Sequence, residues 1–304
     1  MKTSTAAIIV IILIILAGAG WWYYHGAAPA APATGTTQPA ATAIFACDAG
    51  KSIGAAFYVG SSTPSTDSTQ PPTPGGSVSL TLSDGRTESL PQTISADGVR
   101  YANADESFVF WGKGNTAFVE EGADHQQTYT GCILVAPDAS GTLTQIYATS
   151  TLGFSLRMPS GYTPAAYTYQ ALGPGKDISG VKFTIPATEA TGTNLSKDSY
   201  ISIEELPKST TCLASEFLTP GTKASTFSDS GTEYSAATSS DAGAGNLYDE
   251  AVFSIPGSSP CVAVRYFIHS TQFANYPAGT VTEFDKNAII NEFDNIRRTL
   301  VIGR

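Results

Sequence analysis

Residues 107–119 read SFVFWGKGNTAFV, a run of aromatic and β-branched residues in which a single lysine, Lys113, lies between two glycines. Aromatic and β-branched side chains favour strands, and glycines allow the backbone to turn tightly. The stretch predicts a β-hairpin whose rings belong to a hydrophobic core and whose tip carries Lys113. Taken alone, a lysine at a hairpin tip is most often a solvated surface residue.

Short strand-like runs surround this hairpin between Ile44 and Val135. They are separated by Gly, Asp and Pro and comprise GAAFYV, SVSLTL, RTESLP, SFVFWG, TAFVEE and TYTGCIL. Six or more strands in this space, without a helical period, predict a small antiparallel barrel or sandwich. We assign this all-β domain to residues 44–135.

The chain after residue 142 has a different pattern. Five further strand candidates are GFSLRMP, GVKFTIP, YISIEELP, LYDEAVFSIP and CVAVRYFIHS. The last segment then follows helical spacing, and Thr280 with Glu283 matches a capping box at its start. Residues 143–304 are therefore predicted to form an α+β domain, in which a C-terminal helix closes one face of an antiparallel sheet.

The first 24 residues contain one lysine followed by an apolar run long enough to cross a bilayer. We predict an N-terminal transmembrane helix, although Ala17-Gly18-Ala19 also fits a signal-peptide cleavage site. Residues 25–43 are rich in Ala and Pro and are interpreted as a linker. In both interpretations the body lies in the cell envelope, outside the cytoplasm, on its periplasmic or extracellular face.

Export permits disulfides, and the chain has four cysteines, which allow three pairings. We favour the two pairings that stay within the predicted domains, Cys47 with Cys132 and Cys212 with Cys261. The sequence has no C-x-x-C motif and its three histidines are scattered, so a zinc site is improbable and we expect no cofactor.

The net charge is −10, from 26 acidic and 16 basic residues. An acidic chain disfavours nucleic acid as a partner and favours a basic protein. The doublets Glu120-Glu121 and Glu204-Glu205 do not form the paired carboxylates of a glycosidase, because adjacent strand residues point to opposite faces. We expect them to be solvated strand ends and predict no enzymatic activity.

The stretch SADGVRYANADESFVFWGKGNTAFVEEG at residues 95–122, with FACDAGK before it and TYTGC after it, resembles the MliC/PliC family of C-type lysozyme inhibitors. The resemblance covers residues 45–133. It implies an eight-stranded antiparallel barrel, closed by a Cys47–Cys132 bridge, that inserts loops into the lysozyme cleft. Residues 143–304 more weakly resemble PsbP-like domains.

In that family a serine and a lysine contact the two catalytic carboxylates of the enzyme. The lysine matches Lys113, and the neighbouring family positions match Gly98, Arg100 and Tyr101, whereas Asp97 stands at the position of the serine. These five are the predicted lysozyme-binding residues.

The resemblance implies a membrane-anchored inhibitor of C-type lysozyme. The alternative is a non-inhibitory envelope binding or scaffold protein that uses the barrel and the C-terminal domain for other ligands.

Overall fold

The computed structural model describes residues 38–62, 72–138, 141–170, 172–173 and 176–303. Residues from Ala41 onward form one compact unit. Among the described residues, no helix combines the length and the apolar character needed to cross a membrane. The predicted anchor at residues 1–24, and the linker up to residue 37, lie outside the described ranges.

The first half of the unit is a closed antiparallel barrel of eight strands in chain order, with the first strand paired to the last. The strands are β1 (Ala41–Ala46), β2 (Ser52–Tyr58), β3 (Ser77–Leu82), β4 (Thr87–Thr93), β5 (Val99–Ala102), β6 (Phe108–Lys113), β7 (Thr116–Glu121) and β8 (Gln126–Leu134). The predicted barrel is confirmed. β1 begins inside the stretch assigned to the linker, and β5 was not among the predicted runs.

The barrel closes because alternate residues of its strands are apolar. Ile53, Leu80, Phe110 and Val119 are fully buried in one cluster. The Cys47–Cys132 disulfide joins the end of β1 to β8 within this core. It is one of the two pairings that the sequence favours, and it covalently links the two strands that close the barrel.

The second half of the unit, here called the sheet region, contains β9–β18. Its elements are β9 (Gln145–Thr149), β10 (Phe154–Met158), β11 (Thr163–Tyr169), β12 (Ile178–Thr184), α1 (Ala187–Ala190), β13 (Tyr200–Leu206), β14 (Ser225–Asp229), β15 (Thr232–Gly243), β16 (Asn246–Ser254), β17 (Cys261–Thr271), α2 (Lys286–Arg298) and β18 (Val301–Ile302). Seven strands form an antiparallel sheet in the order β11-β12-β13-β17-β16-β15-β14, and three form a small sheet in the order β18-β10-β9.

Helix α2 covers one face of the sheet region, as predicted. Ile289, Phe293 and Ile296 lie in one core with apolar residues of β12, β13 and β17. The Cys212–Cys261 disulfide, the second pairing favoured by the sequence, lies in a separate cluster.

The predicted helix start is wrong. Helix α2 begins at Lys286, and its N-cap is Asp285, whose carboxylate accepts from the Ala288 N–H. The segment around Thr280 is not helical, because its backbone bonds to another part of the chain: Thr282 N–H donates to Gly192 O, and Phe284 N–H donates to the side chain of Asn194.

The prediction that the Glu-Glu doublets are solvated strand ends is also wrong for Glu204. This carboxylate is fully buried on the face of the large sheet that α2 does not cover. There the Arg265 guanidinium donates to both Glu204 oxygens, at 2.8 and 2.9 Å, and also pairs with Glu250. Glu204 therefore belongs to a buried ion cluster.

The barrel and the sheet region contact each other along β8 and the segment after it. Ser155 Oγ donates to Leu134 O at 2.6 Å, and Arg157 Nε donates to Ala136 O at 2.7 Å. Both donors lie on β10. The small three-stranded sheet is thus hydrogen-bonded to the strand that closes the barrel.

Two carboxyl groups meet between α1 and α2. Burial, together with the nearby Glu292 carboxylate, raises the pKa of Glu189 to about 7. Tyr162 donates to Glu292 at 2.5 Å, and one Glu189 oxygen is buried without a hydrogen-bond partner in the structure. Glu189 therefore keeps its proton at pH values where an ordinary glutamate is ionised.

We expect this site to make folding stability fall as the pH rises from 4.5 to about 7. Unfolding in that window releases the proton of Glu189, because the unfolded side chain has its ordinary pKa of 4.5. The loss is about 1 to 2 kcal/mol once solvent screening of this partly exposed group is allowed for. Urea unfolding at pH 4.5 and pH 8 should show a smaller decline for Glu189→Gln than for wild type. The control variant Glu283→Gln, at an exposed position, should show the same decline as wild type. Equal declines in all three proteins would contradict the assignment of the raised pKa to Glu189.

Candidate functional site

The connections of the barrel alternate between its two ends, because consecutive strands are antiparallel neighbours. The β2–β3, β4–β5 and β6–β7 connections therefore share one end, here called the lysine end. The other four turns share the opposite end. The loop at residues 94–98 and the turn at Gly114-Asn115 bring Asp97, Gly98 and Lys113 together at the lysine end.

Lys113 is the last residue of β6 and is paired with Thr116, the first residue of β7. A two-residue turn joins them, and Gly114 takes a φ of 53°, a value that glycine adopts without strain. Thr116 Oγ1 donates to Lys113 O at 2.8 Å and closes the turn. The Lys113 side chain is 72% exposed. A tight hairpin therefore presents the Lys113 ammonium group to solvent.

Asp97 is the direct partner of Lys113, since Lys113 Nζ lies 2.6 Å from Asp97 Oδ2. The hydrogen bond from Lys113 lowers the pKa of Asp97, and the same bond raises the pKa of Lys113, so both groups are charged at neutral pH. The Asp97 side chain is 69% exposed. Exposed ion pairs of this kind contribute little to stability, so the pair can open when a better partner arrives.

Gly98 determines how closely the Asp97 loop approaches the hairpin. Its φ is 69°, and a Cβ at this position would lie 2.4 Å from the carbonyl oxygen of Gly112. Any other residue would push the loop away from β6. Gly98 thus acts through the backbone and holds Asp97 beside Lys113.

Arg100 lies on the outer wall of the barrel, not beside Lys113. Its guanidinium pairs with Glu106 at 2.8 Å, donates to Thr93 Oγ1 at 3.0 Å and lies over the Trp111 ring at 5.4 Å from the centroid. The hydrogen bond from Arg100 lowers the pKa of Glu106. Arg100 thus makes its polar contacts with other residues of the barrel, and not with Lys113.

Tyr101 faces the barrel interior and is only 5% exposed. Its ring contacts those of Phe57 and Phe110, with centroids 5.9 and 6.2 Å apart. Burial raises the pKa of its hydroxyl. Among the five predicted binding residues, Tyr101 is therefore placed as a core residue that supports β5 and β6.

Charge is unevenly distributed over the barrel. Residues 45–135 contain ten acidic and four basic side chains, a net charge of −6. Seven of the acidic residues lie in or beside the turns opposite the lysine end: Asp48, Asp84, Asp105, Glu106, Glu120, Glu121 and Asp124. In the described β4–β5 loop and β6–β7 turn of the lysine end, Asp97 is the acidic side chain. An acidic surface would therefore meet fewer carboxylates here than at the opposite end.

Two exposed apolar residues at the lysine end were missed by the sequence analysis. Ile94 begins the Asp97 loop and is 53% exposed, and Val59, just after β2, is 86% exposed. Val59 ends the strand-like run GAAFYV and Ile94 comes shortly after RTESLP, so the sequence pattern does not distinguish them from core residues. They give the lysine end exposed apolar surface. Within the described ranges, no group of three or more His, Cys, Asp and Glu side chains could hold a metal ion.

Comparison with known proteins identifies the segment that forms this end. Residues 45–127 match the family model described as MliC, membrane-bound lysozyme-inhibitor of c-type lysozyme. A protein of Yersinia enterocolitica serotype O:8 / biotype 1B, named membrane-bound lysozyme inhibitor of C-type lysozyme, is 44% identical over 64 residues. That alignment covers 21% of this chain, which spans about half the length (50%) of this curated relative. No solved structure matches the chain.

The barrel therefore contains an MliC-like segment, and the matched family is named for inhibition, not for catalysis. The sheet region lies outside the residues matched by the family model. Its resemblance to PsbP-like domains stays a prediction.

Proposed function

We propose that this protein is a lysozyme inhibitor whose barrel blocks the catalytic cleft of a C-type lysozyme by inserting Lys113. The observation that carries the proposal is the placement of Lys113. It is a highly exposed ammonium on a tight hairpin, at the end of the barrel opposite the turns that hold seven of the ten acidic residues of 45–135. The match of residues 45–127 to the inhibitor family supports the same conclusion.

The chemistry of the target explains why a lysine suits this position. A retaining glycosidase holds two carboxyl groups about 5 to 5.5 Å apart. An ammonium has three donors and can bond to both groups in a cleft from which water is excluded, where charge-assisted hydrogen bonds are strong. Lys113 would exchange its solvent-exposed bond to Asp97 for these bonds. Ile94 and Val59 would pack on the rim of the cleft.

Asp97 would then stand beside two enzyme carboxyl groups. Three ionised carboxylates together would repel one another, which weakens binding. The general acid of lysozyme has a raised pKa and can be protonated near neutral pH, so it can donate a hydrogen bond to Asp97. Such a bond would offset only part of the repulsion, so Lys113 supplies the favourable contact and Asp97 weakens binding on balance.

The location of the protein is part of the proposal. The apolar residues 1–24 would anchor the chain in a membrane, and the matched relative is named as membrane-bound. The barrel would then lie in the cell envelope, where it meets lysozyme that attacks the cell wall. Its net negative charge would speed association with a basic enzyme.

A cell-wall lysis assay with full-length protein in mild detergent tests the proposal. We expect micromolar protein to inhibit a C-type lysozyme, and we expect a 1:1 complex by size-exclusion chromatography. Lysis at the uninhibited rate, with no complex, would overturn the proposal. A complex without inhibition would favour the alternative of a non-inhibitory envelope binding protein.

The Asp97→Ser substitution is expected to strengthen inhibition by about tenfold, because it removes the carboxylate nearest the two enzyme carboxyl groups and frees the ammonium of Lys113. The inhibition constant Ki from initial lysis rates measures the effect. Asp124→Ser is the matched control: it removes the same charge from an exposed turn at the opposite end of the barrel. If the Asp97→Ser variant inhibits more weakly than wild type, Asp97 itself makes a net favourable contact with the enzyme.

A further inference from the structure

We propose that Asn115 is a positioning residue for Lys113, and that it acts by tying the Lys113 turn to the C-terminal strand of the sheet region. The inference rests on the proposed function, because positioning matters only if Lys113 enters a binding cleft. It assigns a role in inhibition to a part of the chain that lies outside the inhibitor-family match.

The contacts of the turn are asymmetric. Gly114 has open space where a side chain would project. Asn115, in contrast, makes two hydrogen bonds to other segments of the chain. Its side-chain amide donates to Ile302 O at 3.0 Å, and its backbone carbonyl accepts from the Leu134 N–H at 2.8 Å. Of the two turn residues, Asn115 is thus the one that bonds to the sheet region.

The acceptor of the side-chain bond is itself well fixed. Ile302 lies in β18, which pairs with Phe154 of β10, and Gly303 N–H donates to Gly153 O at 2.8 Å. A Cβ on Gly303 would lie 3.0 Å from the Ile133 side chain, so this segment packs closely on β8. The bond from Asn115 therefore connects the lysine end to a strand of the sheet region that is hydrogen-bonded to β10 and packed on β8.

The hydrogen bonds of Asn115 should preorganise the turn that carries Lys113. Lys113 has a long side chain, and a mobile turn would add backbone disorder that binding must remove. A turn held at Asn115, two residues away, presents Lys113 from a fixed direction. We therefore expect loss of the Asn115 side chain to weaken inhibition through Lys113 and without unfolding the barrel.

The first test needs no lysozyme. NMR relaxation of the backbone amides of Lys113 and Gly114 should show lower order parameters in full-length Asn115→Ala than in wild type, with faster hydrogen exchange at Leu134. Asn103→Ala is the matched control, because Asn103 also holds a turn by side-chain hydrogen bonds, at the opposite end of the barrel. Unchanged dynamics in Asn115→Ala would overturn the proposal, whether or not the protein inhibits lysozyme.

The second test is a double-mutant cycle on Ki. Asn115→Ala should raise Ki about three- to tenfold in the wild-type background, mainly through faster dissociation, and should change it less than twofold in a Lys113→Ala background. Equal effects in both backgrounds would show that Asn115 does not act through Lys113. If the wild-type protein does not inhibit at all, the proposed function fails, and the NMR test still decides whether the sheet region holds the turn.

Discussion

Lys113→Ala should raise the Ki of this protein for a C-type lysozyme by roughly 100-fold, the effect expected when a central charge-assisted contact is removed from an interface. Lys113 is the cation at the tip of the hairpin, and the other basic residues of the barrel are occupied elsewhere. Arg86 pairs with Asp84 and Glu121, Arg100 pairs with Glu106, and Lys51 donates to Thr128 O. Among the described turns at the lysine end, none holds a second lysine or arginine of the barrel.

Lys113→Ala also leaves the Asp97 carboxylate without a counter-ion. Without Lys113, Asp97 loses its ion-pair partner and faces the enzyme carboxylates alone. Inhibition should therefore fall further in Lys113→Ala than in the double variant with Asp97→Ser. Lys113→Arg should retain part of the inhibition, because a guanidinium keeps the charge but has a different shape from the ammonium.

Lys51→Ala is the matched control for this prediction. It removes the same side chain and the same charge from a turn at the opposite end of the barrel. Both variants should keep the thermal stability of the wild type, since both lysines are exposed. If the two alanine variants inhibit equally well, Lys113 does not enter the cleft, even if the protein proves to be an inhibitor.

The strand pattern predicted the barrel because short runs rich in β-branched and aromatic residues are separated by turn residues, and because the hairpin at residues 107–119 combines such a run with a glycine-flanked turn. The two disulfides followed from their positions within the predicted domains. β1 was missed because half of it, Ala41–Ala43, continues the composition of the linker. Its pairing with β8 is a tertiary contact that local sequence does not encode.

Part of the site was predictable from the order of the strands in the barrel. Lys113, Asp97 and Gly98 are brought together by the ends of two neighbouring hairpins, so barrel topology alone places them close. The bond from Asn115 to Ile302 joins residues 187 positions apart. Nothing in either local sequence indicates it, and only the packing of the sheet region against the barrel creates it.

Glu204 shows the limit of local charge patterns. A Glu-Glu doublet at a strand end is usually solvated, but here β13 is a central strand and Glu204 faces Arg265 on the neighbouring β17. The two residues are not directly opposite each other in the register, in which Glu204 is paired with Ala263. The ion pair is diagonal across two strands. A sequence pattern within one strand therefore does not reveal it.

Arg265→Met is expected to lower the free energy of unfolding by about 3 to 5 kcal/mol, because it leaves the fully buried Glu204 carboxylate without its counter-ion. In a protein of this size the melting temperature should fall by roughly 10 °C. Glu250 is less affected, since its side chain is 15% exposed and can reach water. Burial alone would lower the pKa of Arg265, but attraction by Glu204 raises it, so the guanidinium stays charged in the folded protein.

Two further variants separate the cost of an unpaired charge from a general loss of packing. Arg298→Met removes a partly exposed guanidinium from Asp229 and should cost less than about 1 kcal/mol. Combining Glu204→Leu with Arg265→Met removes both buried charges, and should restore much of the stability that Arg265→Met loses. Urea unfolding of the three variants measures these differences. If Arg265→Met is no less stable than Arg298→Met, the buried cluster is not what holds β13 and β17 together, and the apolar face under α2 must supply that stability alone.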